Sequence, residues 1–282
     1  MSIETILSAL MEPLRYGFMQ RGLAAAVMVG VICAVMGTWV ILRGMAFLGD
    51  AMAHAILPGV AIAWVVGGNI LMGGLVAAVL VALGIGGLSK GGAIREDTAI
   101  GILFAAALAL GVAIMSSMRT YALDLSHVMF GNVLGVGEGD LLLTAVVGLL
   151  VLIALAIFYK PFLVLSFDPV LAATLRLRTG ALRNLMLVLL ALTVVVSLQT
   201  VGVGLAAAML VTPAATAFLL VRRLVPMMLL AALFGALSAI IGLYASWWLD
   251  VVSGSAIVLT ATMFFILAFA FSPRRALLSR RA

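Results

Sequence analysis

The sequence predicts an all-α membrane protein, a polytopic bundle of about nine transmembrane helices in a single domain over residues 1–282. Hydrophobic residues make up 66% of the chain and charged residues only 9%, whereas soluble domains contain about 25% charged residues. The apolar residues form repeated runs of roughly 17–23 residues, each long enough to cross a ~30 Å hydrocarbon core as a helix. No run alternates like a β-barrel strand, so helices are expected to satisfy the backbone in lipid.

The apolar runs define nine candidate spans and no separate soluble domain. They are residues 22–42, 45–67, 70–88, 98–118, 141–159, 184–200, 203–221, 226–248 and 255–272. Only the region of Gly202 and Gly204 separates the sixth span from the seventh. These two could form one bent element, which leaves eight spans as the alternative.

The basic residues indicate the orientation, because loops that carry Lys and Arg stay in the cytoplasm. Of the 16 basic residues, only Arg15, Arg21 and Arg119 lie on one side of the nine-span arrangement. The remaining residues lie on the other side: Arg43, Lys90, Arg95, Lys160, Arg176, Arg178, Arg183, Arg222, Arg223, Arg274, Arg275, Arg280 and Arg281. This asymmetry predicts an external N-terminus and a cytoplasmic C-terminus.

One acidic residue, Asp50, lies inside a predicted span, and His54 follows it four residues later. Residues at this spacing share one face of a helix, and ionisable groups within the membrane are functional candidates. A helix continuous from Arg43 would place Asp50 about 10 Å and His54 about 16 Å into the membrane. Carboxylate oxygen and imidazole nitrogen are ligands for Mn²⁺, Fe²⁺ or Zn²⁺. Pro58, one turn later, predicts a kink at the same depth.

Structural roles for the same residues are the alternative to a metal site. Asp50 could cap a helix or pair with Arg43, and His54 could hydrogen-bond a carbonyl. The other histidine, His127, lies in an outer loop and could be a transient ligand at an entrance or a solvated side chain. No phosphate-binding loop, nucleophile elbow or zinc-protease motif is present. The chain is therefore not expected to be an enzyme, and if it takes part in ATP-driven transport, another subunit must bind the ATP.

Five segments resemble the permeases of bacterial manganese, zinc and iron ABC importers. Residues 42–59 resemble the family signature with LRGMAFLGDAMAHAILPG. The other matches are REDTAIGI at 95–102, FGNVLGV at 130–136, SFDP in an inner loop at 166–169, and VTPAATA at 211–217. One departure is TLRL at 174–177, where the family often has glycine in place of Arg176. The stretches RGMAFLGD at 43–50 and VTPAATA at 211–217 look more like manganese-type than zinc-type members.

The resemblance implies a fold, a cargo and partners. The fold would be a shortened form of the vitamin B12 and siderophore importers, in the bacterial cytoplasmic membrane. Two copies would form a homodimer that docks two ATPase subunits inside and receives metal from a binding protein outside. Manganese would be the transported ion, otherwise zinc or iron, with no permanently bound cofactor and no nucleic-acid partner.

The resemblance also suggests roles for individual residues. Two facing copies would bring two Asp50 and two His54 side chains together as metal ligands. Residues 217–226 would form a short coupling helix for the ATPase, which includes Phe218, Arg222, Arg223 and Leu224. Arg15 and Arg21 would dock the binding protein, because arginine can pair with a carboxylate across an interface; both could instead simply flank the first span.

Two other kinds of transporter remain as alternatives. A secondary, proton-coupled metal transporter would need several acids within the membrane, and only Asp50 lies there. A channel would show a filter loop or rings of charge, and the sequence contains neither.

Overall fold

The computed structural model describes residues 12–90, 94–117 and 133–272, and regular structure within these ranges is entirely helical. The α-helices are α1 (Gly17–Leu42), α2 (Leu48–Ala55), α3 (Leu57–Val66), α4 (Ile70–Leu88), α5 (Glu96–Ser116), α6 (Glu138–Ile157), α7 (Tyr159–Phe167), α8 (Pro169–Thr174), α9 (Thr179–Val201), α10 (Val203–Leu220), α11 (Leu224–Leu249) and α12 (Ser253–Phe271). Short 3-10 turns lie at Pro13–Arg15 and Val133–Gly135.

The predicted membrane bundle is confirmed in the part of the chain that the structure describes. Eight segments have the length and apolar composition needed to cross a membrane, and α2 and α3 together form one of them. The shorter apolar helix Gly204–Leu220 adds a ninth segment. The sixth and seventh predicted spans are two separate helices, α9 and α10, divided by Gly202 with a φ of 84°. Glycine adopts this left-handed conformation without strain.

Helix α1 lies at the centre of the bundle, packed against α6, α9, α10 and α11. Its Trp39 is completely buried, and the aromatic rings of Tyr159 and Phe162 meet the indole edge-on at centroid distances of 5.9 and 5.8 Å. The close packing of α1 on α11 depends on two glycines. A Cβ atom on Gly30 would lie 2.8 Å from the carbonyl oxygen of Gly235, and the reverse contact is closer still. Small residues at such crossings let helix backbones approach closely in membranes.

The connection between α6 and α9 contains two short helices where the sequence predicted only an inner loop. Asp168 caps α8, because its Oδ1 accepts hydrogen bonds from the backbone N–H groups of Val170 and Leu171 at 3.0 and 2.9 Å. Pro169 occupies the first turn, where its missing N–H is not needed. The residues SFDP therefore mark a helix start: the Asp-Pro pair is a recognisable capping signal.

Candidate functional site

The candidate metal ligands lie on α2, which begins after a tight turn that follows α1. Gly44 has a φ of 69°, and the N–H of Met45 donates to the carbonyl of Val40 at 3.1 Å. The chain is not helical between Arg43 and Phe47, and α2 starts at Leu48. The predicted depth for His54 assumed a helix continuous from Arg43, and this assumption is wrong. Only six helical steps separate Leu48 from His54, which correspond to about 9 Å.

The span that carries the site is broken, as Pro58 predicted. Helix α2 ends at Ala55 and α3 begins at Leu57, with Pro58 in its first turn. Proline has no N–H group and its ring excludes the carbonyl four residues earlier, which here belongs to His54. The break therefore lies directly beside the candidate ligand, where the N–H of Ile56 turns back to the carbonyl of His54.

Asp50 and His54 face the same side of α2, with Nε2 of His54 3.8 Å from Oδ1 of Asp50. This separation is too long for a hydrogen bond. Two ligands that each lie about 2.1 Å from one ion are roughly 3.0–3.5 Å apart, so a small side-chain movement would let both bind the same cation. The Asp50 side chain is 46% exposed and that of His54 is 22% exposed. The pair is therefore open on one side.

Aromatic side chains pack against the buried side of the His54 ring. The ring of Phe104, on α5, meets the imidazole of His54 at a centroid distance of 5.9 Å. Phe104 also meets Phe47, just before α2, at 5.7 Å and almost at right angles. These contacts restrict the imidazole ring without using either of its nitrogens, which stay available to a ligand.

Arg43 pairs with Glu96 and not with Asp50, so the alternative in which Asp50 pairs with Arg43 is wrong. Nη2 of Arg43 donates to both carboxylate oxygens of Glu96 at 3.1 and 2.9 Å. Arg183 joins from α9, with its Nε 3.5 Å from Oε1 of Glu96 and its Nη2 donating to the carbonyl of Gly86 at 2.8 Å. Burial lowers the pKa of the Arg43 guanidinium, and the Glu96 carboxylate acts to raise it. The cluster joins α1, α4, α5 and α9 beside the turn that leads to the site.

Among the described residues, one copy of the chain brings two candidate ligands, Asp50 and His54, to this position. No group of three or more His, Cys, Asp or Glu residues that could hold a metal occurs among the residues described. His127, the possible entrance ligand, lies outside those residues. An open apolar groove of about 650 Å³ continues from Ala55 and Pro58 along α3, α4 and α5. The surface next to the site is therefore apolar and uncovered in a single copy.

The predicted coupling segment does not form a helix of its own. Residues 217–220 end α10, Val221 is extended, and α11 begins at Leu224. The apolar residues on either side belong to the long helices α10 and α11, which leaves a link of three residues, 221–223. Arg222 and Arg223 are exposed in this link, whereas Phe218 and Leu224 pack against the helix core.

A second exposed apolar surface lies on α7 and α8, on the same side of the bundle as the α10–α11 link. Phe167 is 66% exposed, Val170 75% and Leu171 47%. The sequence had shown this segment only as an inner-loop motif. The sequence signal for this surface was the Asp-Pro helix start followed by apolar residues, because a short capped helix presents such residues on its surface.

The two predicted docking arginines differ in their surroundings. Arg15 is exposed at the end of the first 3-10 turn. Arg21 lies in the first turns of α1, with its Nη1 3.8 Å from Oε1 of Glu138. Both side chains of that pair are exposed to solvent, so the attraction between them is weak.

Comparison with known proteins links this arrangement to metal transport. Residues 15–272 match the model of the ABC 3 transport family. The chain is 48% identical over 267 residues to the manganese transport system membrane protein MntC of Halalkalibacterium halodurans, which covers 95% of this chain and 91% of the relative. It is 41% identical over 261 residues to the manganese import system permease protein ScaB of Streptococcus parasanguinis, with 93% of each chain covered.

A solved structure shares the architecture over nearly the full length. The chain is similar to one in the structure described as PsaBC from Streptococcus pneumoniae in complex with Fab, with a TM-score of 0.85 and 37% identity. The match covers 98% of this chain and 100% of the solved one.

Proposed function

The chain belongs to the ABC 3 transport family, and we propose that it is the membrane permease of an ATP-driven importer for a divalent transition metal. The observation that carries the proposal is the Asp50–His54 pair. A carboxylate and an imidazole stand 3.8 Å apart on a broken helix within the bundle, open on one side. This donor set suits Mn²⁺, Fe²⁺ or Zn²⁺. The ion is the cargo, and the pair would bind it transiently during passage.

Manganese is the proposed cargo, with zinc and iron as the next candidates. The relatives that share 48% and 41% identity with this chain are both described as manganese proteins. The donors alone do not separate the three ions, because each accepts carboxylate and imidazole ligands.

A second copy of the chain would complete the transit site. Two copies placed with α2 facing α2 would bring two Asp50 and two His54 side chains to one axis and supply four ligands. The open side of the pair and the uncovered apolar groove beside it both support this arrangement. Apolar surface next to a half-built ion site is suited to burial in an interface between subunits.

The energy would come from separate ATPase subunits, so the permease itself would not be an enzyme. Its C-terminus and the basic loops would face the cytoplasm of a bacterial cell. We place the ATPase contact on the exposed apolar residues Val170 and Leu171 of α8. Arg222 and Arg223 would flank that contact from the α10–α11 link, while Phe218 and Leu224 would support it from within.

On the opposite face, Arg15 and Arg21 would meet a binding protein that delivers the ion. Exposed arginines pair with carboxylates in two-point hydrogen bonds, and charges at an interface rim mainly set the association rate. Because Arg15 is exposed whereas Arg21 is partly buried, Arg15 would make the larger contribution.

Transport by the reconstituted complex tests the proposal against its alternative, a secondary proton-coupled transporter. Permease, ATPase and binding protein are placed in proteoliposomes, and uptake of Mn²⁺, Zn²⁺ and Fe²⁺ is measured with ATP or with a pH gradient alone. We expect manganese uptake that requires ATP and the binding protein. Uptake driven by the pH gradient without ATP would instead support the secondary transporter.

A further inference from the structure

A groove open to the bilayer separates α6 from α11, far along the sequence from the transit site. Both helices pack on α1, and the space between them has a volume of about 480 Å³. Val31 and Val35 of α1 form its floor. The walls are Leu152, Leu155, Ala156 and Tyr159 on one side and Val225, Met228, Leu229 and Ala232 on the other.

The two walls have the same helical pattern. On each side the lining residues follow one another at steps of three, one and three, which places them on one face over about two helical turns. The groove is therefore about 10 Å long, enough for a segment of a lipid acyl chain. Val225 is 50% exposed and Leu229 is 68% exposed, and no charged residue lines the groove in the described part of the chain.

One end of this apolar groove is strongly basic. Tyr159, the first residue of α7, and Val225 mark that end, since α6 finishes at Ile157 and α11 begins at Leu224. Lys160 directly follows Tyr159, and Arg222 and Arg223 lie within three residues of Val225. All three basic side chains belong to exposed residues. Tyrosine is enriched at the boundary between lipid and water, where a phospholipid headgroup would lie above the groove.

We propose that this groove is a binding site for one anionic phospholipid. An acyl chain lies between α6 and α11 on the floor of α1, and the phosphate-containing headgroup lies beside Lys160, Arg222 and Arg223. The charge complementarity selects an anionic headgroup, because each Lys or Arg near a negatively charged lipid surface contributes about 1 kcal/mol of attraction, or roughly fivefold in affinity. The site adjoins the α10–α11 link, so an occupied groove would hold the end of α11 against α6.

The test measures which lipids the full chain retains. The purified permease is titrated with phosphatidylglycerol or phosphatidylcholine of the same acyl chains, and bound lipid is counted by native mass spectrometry. Lys160→Gln removes a charge at the headgroup, and Lys90→Gln is its control, because Lys90 is also exposed but follows α4. Ala156→Phe fills the groove from an exposed position, and Ile157→Phe is its control, because Ile157 is 69% exposed and does not line the groove.

We expect the wild-type chain to retain phosphatidylglycerol in preference to phosphatidylcholine. Lys160→Gln should lower phosphatidylglycerol retention roughly fivefold and leave phosphatidylcholine unchanged, whereas Ala156→Phe should reduce both lipids. The two controls should behave like the wild type. Equal effects of Lys160→Gln and Lys90→Gln would overturn the headgroup site, because they would indicate general surface charge. Equal retention by Ala156→Phe and Ile157→Phe would overturn the acyl-chain groove.

Discussion

Arg43 and Glu96 form a two-point ion pair that ties the end of α1 to the first turn of α5. Nη2 of Arg43 lies 3.1 and 2.9 Å from the two carboxylate oxygens, and both side chains are largely buried. Arg183 approaches the same carboxylate from α9. One carboxylate therefore pairs with two arginines beside the turn that positions the candidate metal ligands.

Replacing Glu96 by Gln is expected to leave both arginines without a counter-ion. Removing one partner of a largely buried charged hydrogen bond costs about 1–3 kcal/mol, so the melting temperature of the purified permease should fall and metal uptake should fall with it. Asp97→Asn is the control, because Asp97 is the exposed neighbour in the same first helical turn. Equal melting temperatures for the two variants would show that the cluster does not stabilise this end of the bundle.

The ATPase contact can be located by crosslinking. Cys33 is the only native cysteine and is buried, so an introduced cysteine is the reactive one. A cysteine at Val170, which is 75% exposed, should crosslink to the ATPase in higher yield than one at Leu224. A cysteine at Leu142, 67% exposed near the start of α6 at the other end of the bundle, should not crosslink. Crosslinks at Leu224 alone would contradict the contact on α8 and indicate that the ATPase binds the α10–α11 link.

Charge reversal on the outer face tests delivery of the ion. Arg15→Glu combined with Arg21→Glu should slow docking of the metal-loaded binding protein about tenfold at low salt and reduce its salt dependence. Arg15→Glu alone should produce most of this effect, because Arg15 is exposed and Arg21 is partly buried. Basal ATPase activity is the control and should not change. Unaltered docking kinetics at low salt would contradict the docking role and indicate that both arginines only anchor the first helix.

Arg176 adopts a left-handed conformation, with a φ of 55°, at the end of α8. The N–H groups of Arg176 and Leu177 donate to the carbonyls of Ala173 and Ala172 at 3.0 and 3.1 Å, a helix ending that favours glycine. Arg176→Gly should therefore raise the free energy of unfolding by about 1 kcal/mol. Arg176→Ala removes the same side chain but keeps Cβ, and it should not stabilise the protein. Thermal unfolding of both variants distinguishes backbone strain from loss of the guanidinium.

The spans and the intramembrane pair could be predicted from sequence because each depends on local pattern. Long apolar runs specify helices in lipid, the spacing of Asp50 and His54 puts them on one face, and Pro58 marks the break that follows. At Arg176, by contrast, the departure from the family's glycine left the geometry of the turn open, and the structure shows a left-handed conformation there.

Features that depend on packing between distant segments could not be predicted in this way. Glu96 is 53 residues from Arg43, and several acids and bases share that side of the membrane, so sequence alone does not pair them. The coupling segment at 217–226 was expected to be a separate helix because the family resemblance implied a coupling helix there. The apolar runs on both sides extend through it instead, and the exposed short helix is α8.

The most direct test of the account is metal uptake by variants of the pair on α2. Asp50→Ala and His54→Ala are each compared with the wild type and with Asp97→Asn in proteoliposomes that contain the ATPase and the binding protein. Dimer formation and basal ATP hydrolysis are measured on the same preparations. Both alanine variants are expected to assemble and hydrolyse ATP but to lose ATP-dependent manganese uptake, while Asp97→Asn keeps it. Uptake at the wild-type rate in both alanine variants would contradict a transit site at Asp50 and His54.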